Sequence, residues 1–466
     1  MKSRFRALWL LSGTAVFLIL AAGCNDTLRQ FIVPVPAPSG NPQALSHAIT
    51  LSTNPLPSSD GSTMHIDVSG DSSAGIVEMG PNPVFLGKAG ARAFVINQGD
   101  ATTPPTVSVY TALLPQGAVV NTVTLPAASL GPIAGTTSSA GNIYIANSGS
   151  NTVDVISSTV LAVTATIPVG SHPVMIAGNA SNNKIFVVNQ GDGVSNGTVT
   201  EISTIDNTVI GSPITVGVKP IWAVMSADGL FVFVVNQGDG TVTVIDASLN
   251  IILPCDTNTP SCLPNKSIKV GTTASPSPNF AFYEPNLRRV YISNTGENSV
   301  SVIKGNGFDL GSSPQVLPAK IADVPLSGAP TSVTALSDGT KAYAVLGNCP
   351  AGVNHTTILA QAPSCTGNTV GVIDATALTQ IKTITVGSGA ISIDSSGDSS
   401  RVYVVNSHDT FTDALGPHPA GTISDISTST DAEVMRKLAP QQDPNCAVST
   451  TNFCAIQTPF MVRTFP

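Results

Sequence analysis

The sequence predicts an all-β fold, a seven-bladed β-propeller, and a repeated hairpin is the main observation behind that prediction. The stretch from Lys184 to Asp246 contains one pattern twice: an apolar run ending in Asn-Gln-Gly-Asp, then an alternating Thr/Val run. An apolar β-branched run, a polar Gly turn and an alternating run are typical of a β-hairpin. The two copies lie 47 residues apart, from Asn189 to Asn236. Strands that recur at a period of about 40 to 60 residues favour propeller blades.

Composition agrees with an all-β chain. Charged residues make up only 10% of the 466 residues, whereas Gly and Pro number 41 and 35. Many turn-forming residues together with many Val and Ile residues favour strands joined by tight turns. After the N-terminal segment, only the stretch from Asp431 to Leu438 has a helical pattern.

The N-terminal segment is typical of an export signal. The basic residues Lys2, Arg4 and Arg6 precede an apolar stretch over residues 7–20, which is too short for a stable membrane span. The stretch ends Leu-Ala-Ala-Gly immediately before Cys24, and this resembles the bacterial lipoprotein box. The resemblance implies cleavage before Cys24 and a lipid on its thiol. The alternative is an ordinary secretory signal followed by a chance Cys.

These features predict four parts of the chain. They are a lipoprotein signal peptide over residues 1–23, a lipidated Cys24 with a Pro-rich tether over 24–43, the propeller over 44–430, and a C-terminal extension over 431–466. A Pro-rich segment stays extended, so it suits a tether between a lipid and a domain.

The predicted mature chain is acidic. Removal of the signal peptide leaves 17 basic and 28 acidic residues, a net charge of −11. Such a balance argues against nucleic acid as a partner, because nucleic-acid binding needs basic patches. It also means that the lipid, not a basic surface, would attach the protein to a membrane. By the family expectation for the residue after Cys24, which is Asn25, the outer membrane is favoured slightly over the inner one. We expect a monomer without a cofactor.

Six cysteines remain after Cys24, and they fall into three close pairs. Fifteen connectivities are possible in principle. Pairing within each close pair is the simplest, and it predicts three local disulfides in an oxidising compartment. Metal binding is the alternative, but no pair has Cys-x-x-Cys spacing. The proposed pairs are Cys255 with Cys262, Cys349 with Cys365, and Cys446 with Cys454.

Seven copies of the hairpin can be counted along the chain, with a Gly-rich and often Pro-containing junction before each. Their first strands end 42 to 60 residues apart, at Asn97, Asn147, Asn189, Asn236, Asn294, Leu346 and Asn406. The segment from Ala74 to Met79 has the pattern of an outer strand, so we expect the N-terminal segment to complete the last blade. The stretch from Thr63 to Val68 is a further strand candidate without an assigned place.

At four positions the pattern resembles a known repeat. The positions are the Tyr-Val-x-Asn strand end at residues 403–406, the Asn-Thr-Val-x-Val-Ile strand at 151–156, the Thr-Val-x-Val-Ile-Asp strand at 241–246 and the Val-Gly-x-x-Pro junction at 169–173. They look like the YVTN (YncE-like) β-propeller repeat family. The likeness covers about residues 76–426. It implies the fold and says little about function, because members of the family are mostly described by architecture.

Two recurring turns are candidate sites. The Asn-Gln-Gly-Asp turn offers oxygen ligands for calcium, but one carboxylate per turn is few, and ordinary turn chemistry is the favoured interpretation. The junction turns are expected to ring one mouth of the central channel. Four side chains there are candidate ligand-binding residues: Asn82, His172, Lys219 and Trp222. His172 would act as a base or metal ligand, and Lys219 would hold an anion. The alternative is a solvated rim with Trp222 packed between blades.

The sequence contains no catalytic motif that names a reaction. The six histidines lack His-x-x-x-His spacing, and His408 and His418 flank a loop insertion in the seventh hairpin. We therefore predict no metal centre and a non-catalytic binding or scaffold module, anchored in the cell envelope, with an envelope protein or glycan as partner. The alternative is an enzyme of lactonase or lyase type acting at one channel mouth, which rests on analogy of fold alone.

Overall fold

A computed structural model describes residues 47–54, 60–90, 92–111, 119–179, 181–305, 316–413, 416–442 and 455–465. Cys24, the export signal and the tether lie outside these ranges. Within them the strands pair antiparallel in eight separate sheets. Also within them, no helix is both long and apolar enough to cross a membrane.

The described chain begins with three strands, β1 (His47–Thr53), β2 (Ser62–Asp67) and β3 (Ser72–Glu78). Seven sheets of consecutive strands follow. Blade 1 contains β4 (Pro83–Ala89), β5 (Arg92–Asn97), β6 (Thr106–Thr111) and β7 (Val119–Thr124), and blade 2 contains β8 (Pro132–Thr137), β9 (Ile143–Asn147), β10 (Thr152–Ile156) and β11 (Val163–Pro168). Blade 3 contains β12 (Pro173–Ala177), β13 (Lys184–Asn189), β14 (Asn196–Ser203) and β15 (Thr208–Val218). Blade 4 contains β16 (Pro220–Met225), β17 (Phe231–Asn236), β18 (Thr241–Asp246) and an outer strand split into β19 (Ile251–Ile252) and β20 (Ile268–Lys269).

Blades 5 to 7 have the same strand order, and blade 6 also carries a short helix, α1 (Ile358–Gln361). Blade 5 contains β21 (Pro278–Glu284), β22 (Arg289–Asn294), β23 (Ser299–Lys304) and β24 (Lys320–Pro325), and blade 6 contains β25 (Ser332–Ala335), β26 (Lys341–Leu346), β27 (Thr369–Asp374) and β28 (Thr379–Thr385). Blade 7 contains β29 (Ala390–Ser395), β30 (Arg401–Asp413), β31 (Gly416–Ser427) and β32 (Ala432–Leu438). The last strand of the described chain is β33 (Thr458–Phe465).

The propeller has eight blades, so the expectation of seven was wrong. The eighth sheet has the order β3-β2-β1-β33, and it joins the two ends of the described chain. Strand β33 pairs with β1 from His47 opposite Phe465 to Thr53 opposite Thr458. The expectation that the N-terminal segment completes the seventh blade was also wrong, because β32 is the outer strand of that blade. Strand β3, which covers most of the expected segment from Ala74 to Met79, lies with β1, β2 and β33 in the eighth sheet. Pairing the chain ends leaves no gap in the ring, and closure hides sheet edges that would otherwise be exposed.

The helical expectation for Asp431 to Leu438 was also wrong. Strand β32 occupies this segment and pairs with β31 as the outer strand of blade 7. Its Ala, Glu, Met, Arg, Lys and Leu residues favour a helix by propensity, but the free edge of β31 offers a full ladder of hydrogen bonds, which outweighs that preference. Residues 431–466, expected as an extension, thus contribute strands to blades 7 and 8.

The seven hairpins seen in the sequence are all present as the second and third strands of blades 1 to 7. The Asn at the end of the second strand is buried in six of them. Its Nδ2 donates to two side chains of the third strand that lie two residues apart, as Asn236 does to the Thr241 and Thr243 hydroxyls at 2.9 and 3.0 Å. Leu346 takes this place in blade 6 and packs as an apolar residue.

The aromatic residue three positions before this Asn joins neighbouring blades. The side chains of Phe94, Phe186 and Phe233 and of the matching tyrosines are fully buried. Tyr144 of blade 2 donates its hydroxyl to Asn207 of blade 3 at 2.7 Å. Tyr343 of blade 6 likewise donates to Asp431 of blade 7 at 2.6 Å. Burial of one such ring contributes about 2 to 3 kcal/mol.

The innermost strands surround the central channel. Each contacts the innermost strand of the next blade, and β33 closes the series between β29 and β4. The channel is therefore lined by residues from every blade.

Candidate functional site in the central channel

Three of the predicted mouth residues occupy one backbone position. Asn82, His172 and Lys219 have φ of 50°, 53° and 51°, and each precedes the Pro that begins an innermost strand. Their carbonyls accept hydrogen bonds from the amides of Gln98, Gln190 and Gln237 at 2.9 to 3.0 Å. The left-handed conformation thus aims the carbonyl at the neighbouring strand, which gives these residues a backbone role.

These three side chains do not form a cluster. Asn82 and His172 are exposed and Lys219 is partly buried. The Asn82 side chain donates to the Gly99 carbonyl at 2.6 Å, within its own blade. In the described part of the chain, no hydrogen bond or ion pair joins any two of the three.

Trp222, the fourth predicted residue, lies in the channel wall. It is 3% exposed, and its Nε1 donates to the Ala281 carbonyl of blade 5 at 3.1 Å. Its ring lies 4.6 Å from the ring of Phe280 and 4.9 Å from that of His355, measured between centroids. Trp222 therefore joins the inner strands of two blades to a third element.

That element is the connection between the second and third strands of blade 6, residues 347–368, which we call the channel loop. It contains α1, the adjoining turn over Ala362–Ser364 and the Cys349–Cys365 disulfide. In blades 1 to 5 a short turn occupies this place, and in blade 7 the hairpin of β30 and β31 is extended there. Because the disulfide closes the base of the loop, the segment between the two cysteines leaves and re-enters blade 6 at one point.

The channel loop reaches blades far from its own. The Gly352 amide donates to Ser277 of blade 5 at 3.0 Å, and Asn354 Nδ2 donates to Gln237 of blade 4 at 3.3 Å. His355 Nε2 lies 2.7 Å from the Val174 carbonyl of blade 3. The loop therefore lies across the channel from blade 6 to blade 3.

A cavity of about 50 Å³ lies beneath the loop. It is large enough for three or four water-sized groups and much smaller than a typical ligand pocket. Six side chains that line it come from four inner strands, the residue before β25 and the channel loop: Trp222, Phe280, Ser392, Arg463, Thr331 and His355.

His355 presents a neutral imidazole to this cavity. Burial lowers its pKa to about 4, although the bond to the Val174 carbonyl raises it, and the charge of Arg463 lowers it further. Since a carbonyl only accepts, Nε2 must carry the proton in that bond. The other nitrogen, Nδ1, is buried, and it has no protein partner among the described residues.

Arg463 is the cation of the cavity. Burial lowers the pKa of its guanidinium, and the charge of Asp394 raises it. Within the described ranges, its hydrogen bond is from Nη1 to the Val462 carbonyl at 3.4 Å. Its side chain is nevertheless partly accessible. The side chain is one of those that line the cavity.

Sequence reasoning missed His355 and Arg463. The long interval between Cys349 and Cys365 marked an insertion, and His355 within it was a usable signal. Nothing in the sequence marked Arg463, because its position inside the ring depends on β33 pairing with β1, more than 380 residues away.

The remaining predicted features have simple roles where they are described. Asp100 and Asp192 accept hydrogen bonds from backbone amides of their own turns, which is turn chemistry. Among the described residues, no three His, Cys, Asp or Glu side chains form a group suited to a metal. His408 Nδ1 lies 2.9 Å from the Ser407 hydroxyl.

The two disulfides within the described ranges are confirmed. Cys255 bonds to Cys262 in the outer connection of blade 4, and Cys349 bonds to Cys365 in the channel loop. They indicate an exported protein in an oxidising compartment. Cys446 and Cys454 lie outside the described residues, so their bond stays a prediction.

Comparison with known proteins agrees on the class, an all-β β-propeller. No family model matches the chain, and no curated protein matches it. Among solved structures, the dihydro-heme d1 dehydrogenase NirN, in complex with DHE, superposes with a TM-score of 0.59 at 11% identity, over 92% of this chain and 77% of that one.

Two further propellers are similar to this chain. Apo AztD from Citrobacter koseri has a TM-score of 0.56 at 10% identity, over 90% of this chain and 98% of that one. The periplasmic gluconolactonase PpgL from Pseudomonas aeruginosa has a TM-score of 0.50 at 15% identity, over 74% and 97%. At these identities the likeness shows the fold alone.

Proposed function

We propose that this protein is a non-catalytic binding module of the cell envelope, with its ligand site in the central channel beneath the channel loop. The observation that supports this is the way the loop is held. A disulfide closes its base, and three other blades bond its tip, at Ser277, Gln237 and Val174. A loop fixed at both places suits the retention of a small ligand more than rapid exchange of substrate and product.

The residues in the cavity fit binding. Arg463 offers fixed hydrogen-bond donors, His355 offers an acceptor, and Trp222 and Phe280 form an apolar wall. A mostly apolar wall with a few placed polar groups is the usual form of a small-molecule site.

Attachment to the membrane through Cys24 belongs to the same proposal, because the lipoprotein box would place the propeller at an envelope membrane. A full-length Cys24→Ser variant is expected to leave the membrane fraction after cell lysis, with Cys255→Ser as the matched control that stays. A Cys24→Ser protein that still sediments with membranes would contradict lipid anchoring. Separating the inner and outer membranes of cells that express the wild-type protein then shows in which membrane it resides.

The second candidate function is hydrolysis or lyase chemistry on a small lactone or sugar acid. One observation favours it: the neutral His355 Nδ1 has no protein partner among the described residues and lines the same cavity as Arg463, and such an imidazole can accept a proton.

One experiment separates the two functions. The purified protein is screened against small metabolites by thermal shift, and each stabilising compound is then followed by proton NMR for several hours. A binding module raises Tm and returns the compound unchanged. Turnover that disappears in a His355→Gln variant would overturn the binding proposal in favour of the enzyme.

A further inference from the structure

We propose that the cavity beneath the channel loop binds a small carboxylate, most suitably a 2-hydroxy acid of two carbons, through Arg463 and His355. The proposal rests on the proposed function, since it names the ligand class of the same site. The proposal is based on the charges of the cavity and on its polar atoms that lack protein partners among the described residues.

The lining of the cavity carries an excess of positive charge. Arg463 is charged, and no Asp or Glu side chain is among the described residues that line the cavity. The nearby Asp394 carboxylate, which raises the pKa of the Arg463 guanidinium, is engaged by other donors: its Oδ2 accepts from the Thr464 amide at 2.8 Å, and its Oδ1 from the Ser395 amide at 3.1 Å. A positive lining in a chain whose net charge is −8 favours an anionic ligand.

The Arg463 guanidinium is only partly accessible, and among the described residues it has one long backbone hydrogen bond. A buried charge needs an opposite charge or a full set of hydrogen bonds. The planar fork of an Arg side chain matches the two oxygens of a carboxylate, so a carboxylate would supply both requirements at once. The excess positive charge also opposes a metal cation at the same place.

The His355 side of the cavity offers a hydrogen-bond acceptor, so a ligand there needs a hydrogen-bond donor. Because His355 Nε2 gives its proton to the Val174 carbonyl, Nδ1 carries a lone pair. The buried Thr331 hydroxyl, also in the lining, likewise has no protein partner among the described residues. A hydroxyl on the carbon next to the carboxylate can donate to His355 Nδ1 while the carboxylate meets Arg463.

The volume of the cavity limits which carboxylates can bind. A cavity of about 50 Å³ admits three or four water-sized groups, which is close to the size of acetate or glycolate. A sugar acid or a peptide carboxylate would require the channel loop to move.

The test is calorimetric titration of the purified exported protein, in a buffer free of carboxylates, with glycolate, acetate and the neutral analogue glycolamide. We expect one site, with glycolate tighter than acetate and glycolamide without measurable binding. An Arg463→Gln variant should lose at least tenfold in glycolate affinity, about 1.4 kcal/mol. Arg436→Gln, on the outer strand β32, is the matched control and should bind as the wild type does.

Stability gives a second readout. Without ligand, Arg463→Gln should melt at the same temperature as the wild type or higher, because it removes a buried charge that lacks a partner. If that variant does not fold, Arg463→Lys keeps the charge but loses the fork, and a fall in the preference for glycolate over glycolamide is expected.

Three results would overturn the carboxylate site. They are no binding of either anion to the wild type, glycolamide binding as tightly as glycolate, and unchanged affinity in Arg463→Gln. A different compound that stabilises the protein equally in wild type and Arg463→Gln would overturn this inference while leaving the binding module intact.

Discussion

Arg401 in blade 7 donates two hydrogen bonds to the Asp71 carboxylate in blade 8, from Nε at 2.9 Å and from Nη2 at 2.7 Å. The pair lies where the ring closes, since Asp71 is in the turn between β2 and β3. Asp425 and Lys437 of blade 7 lie beside it: Arg401 Nε is 3.5 Å and Lys437 Nζ is 3.6 Å from the Asp425 carboxylate. Two acids and two bases therefore meet at the seam between the last blade and the closing blade.

Loss of the Asp71 carboxylate should destabilise the closure. We expect Asp71→Asn to lower the free energy of unfolding by about 2 kcal/mol, because the guanidinium of Arg401 loses a bidentate partner at a mostly buried place. Urea denaturation measures the change. Glu433→Gln breaks a more exposed ion pair with Arg436 and should cost less than about 0.5 kcal/mol. Equal costs for the two variants would mean that the seam pair is an ordinary surface contact.

The seam should respond to pH through Asp425. Burial, together with the nearby Asp71 carboxylate, raises the pKa of Asp425 to about 7. The folded state therefore holds a proton that the unfolded state releases near its ordinary pKa. This contribution is fully present below about pH 4 and is lost as the pH rises through about 7.

The buried histidines change the stability with pH in the opposite direction. Burial lowers the pKa values of His65 and His355 to about 4, so their contribution is present above about pH 6.5 and is lost as the pH falls through 4. The test must therefore compare two proteins at each pH. The stability of Asp425→Asn relative to wild type should rise between pH 4 and 7, by up to about 1.4 kcal/mol per pH unit. A difference that stays constant with pH would contradict the raised pKa.

The disulfide of the channel loop should control access to Trp222. The chain contains two tryptophans, Trp9 and Trp222, and Trp9 lies in the predicted signal peptide. In the mature protein the fluorescence would then come from Trp222 alone. Cys349→Ser with Cys365→Ser should cost about 3 kcal/mol. It should also shift the emission to the red and increase quenching by acrylamide, because the loop covers Trp222.

The disulfide in blade 4 provides the matched control. Cys255→Ser with Cys262→Ser changes a loop on the outer strand, so it should lower stability while leaving the quenching of Trp222 unchanged. If both pairs of substitutions alter quenching alike, the channel loop is not held by its own disulfide.

The backbone at Lys219 allows a stabilising change. Its φ of 51° is unfavourable for a side chain with Cβ and free for glycine. Lys219→Gly should raise the free energy of unfolding by about 0.5 to 1 kcal/mol, whereas Lys219→Ala, which keeps Cβ, should not. Chemical denaturation compares the two. A Gly variant less stable than the Ala variant would show that contacts of the Lys219 side chain outweigh the backbone strain.

Much of the repeat could be predicted because its signals are local. The Asn at the end of a second strand, the Thr residues that accept its hydrogen bonds and the aromatic residue before it lie within about 15 residues of one another in most blades. The eighth blade lacked these signals: β1 has Ser52 opposite Ser62, where six of the other seven blades pair Asn with Ser or Thr. Its fourth strand comes from the other end of the chain, and sequence pattern alone does not report pairing over that distance.

The sequence by itself determined the all-β class, the seven local hairpins, the position of the junction turns and the cysteine pairs, because these depend on neighbours along the chain. Only the tertiary structure decided the eighth blade, the pairing of β33 with β1, and the meeting of His355 with Arg463 beneath the channel loop. The physical reason is that ring closure is settled by pairing free strand edges and burying apolar faces across the whole chain. Arg463 becomes a channel residue only once that closure has formed.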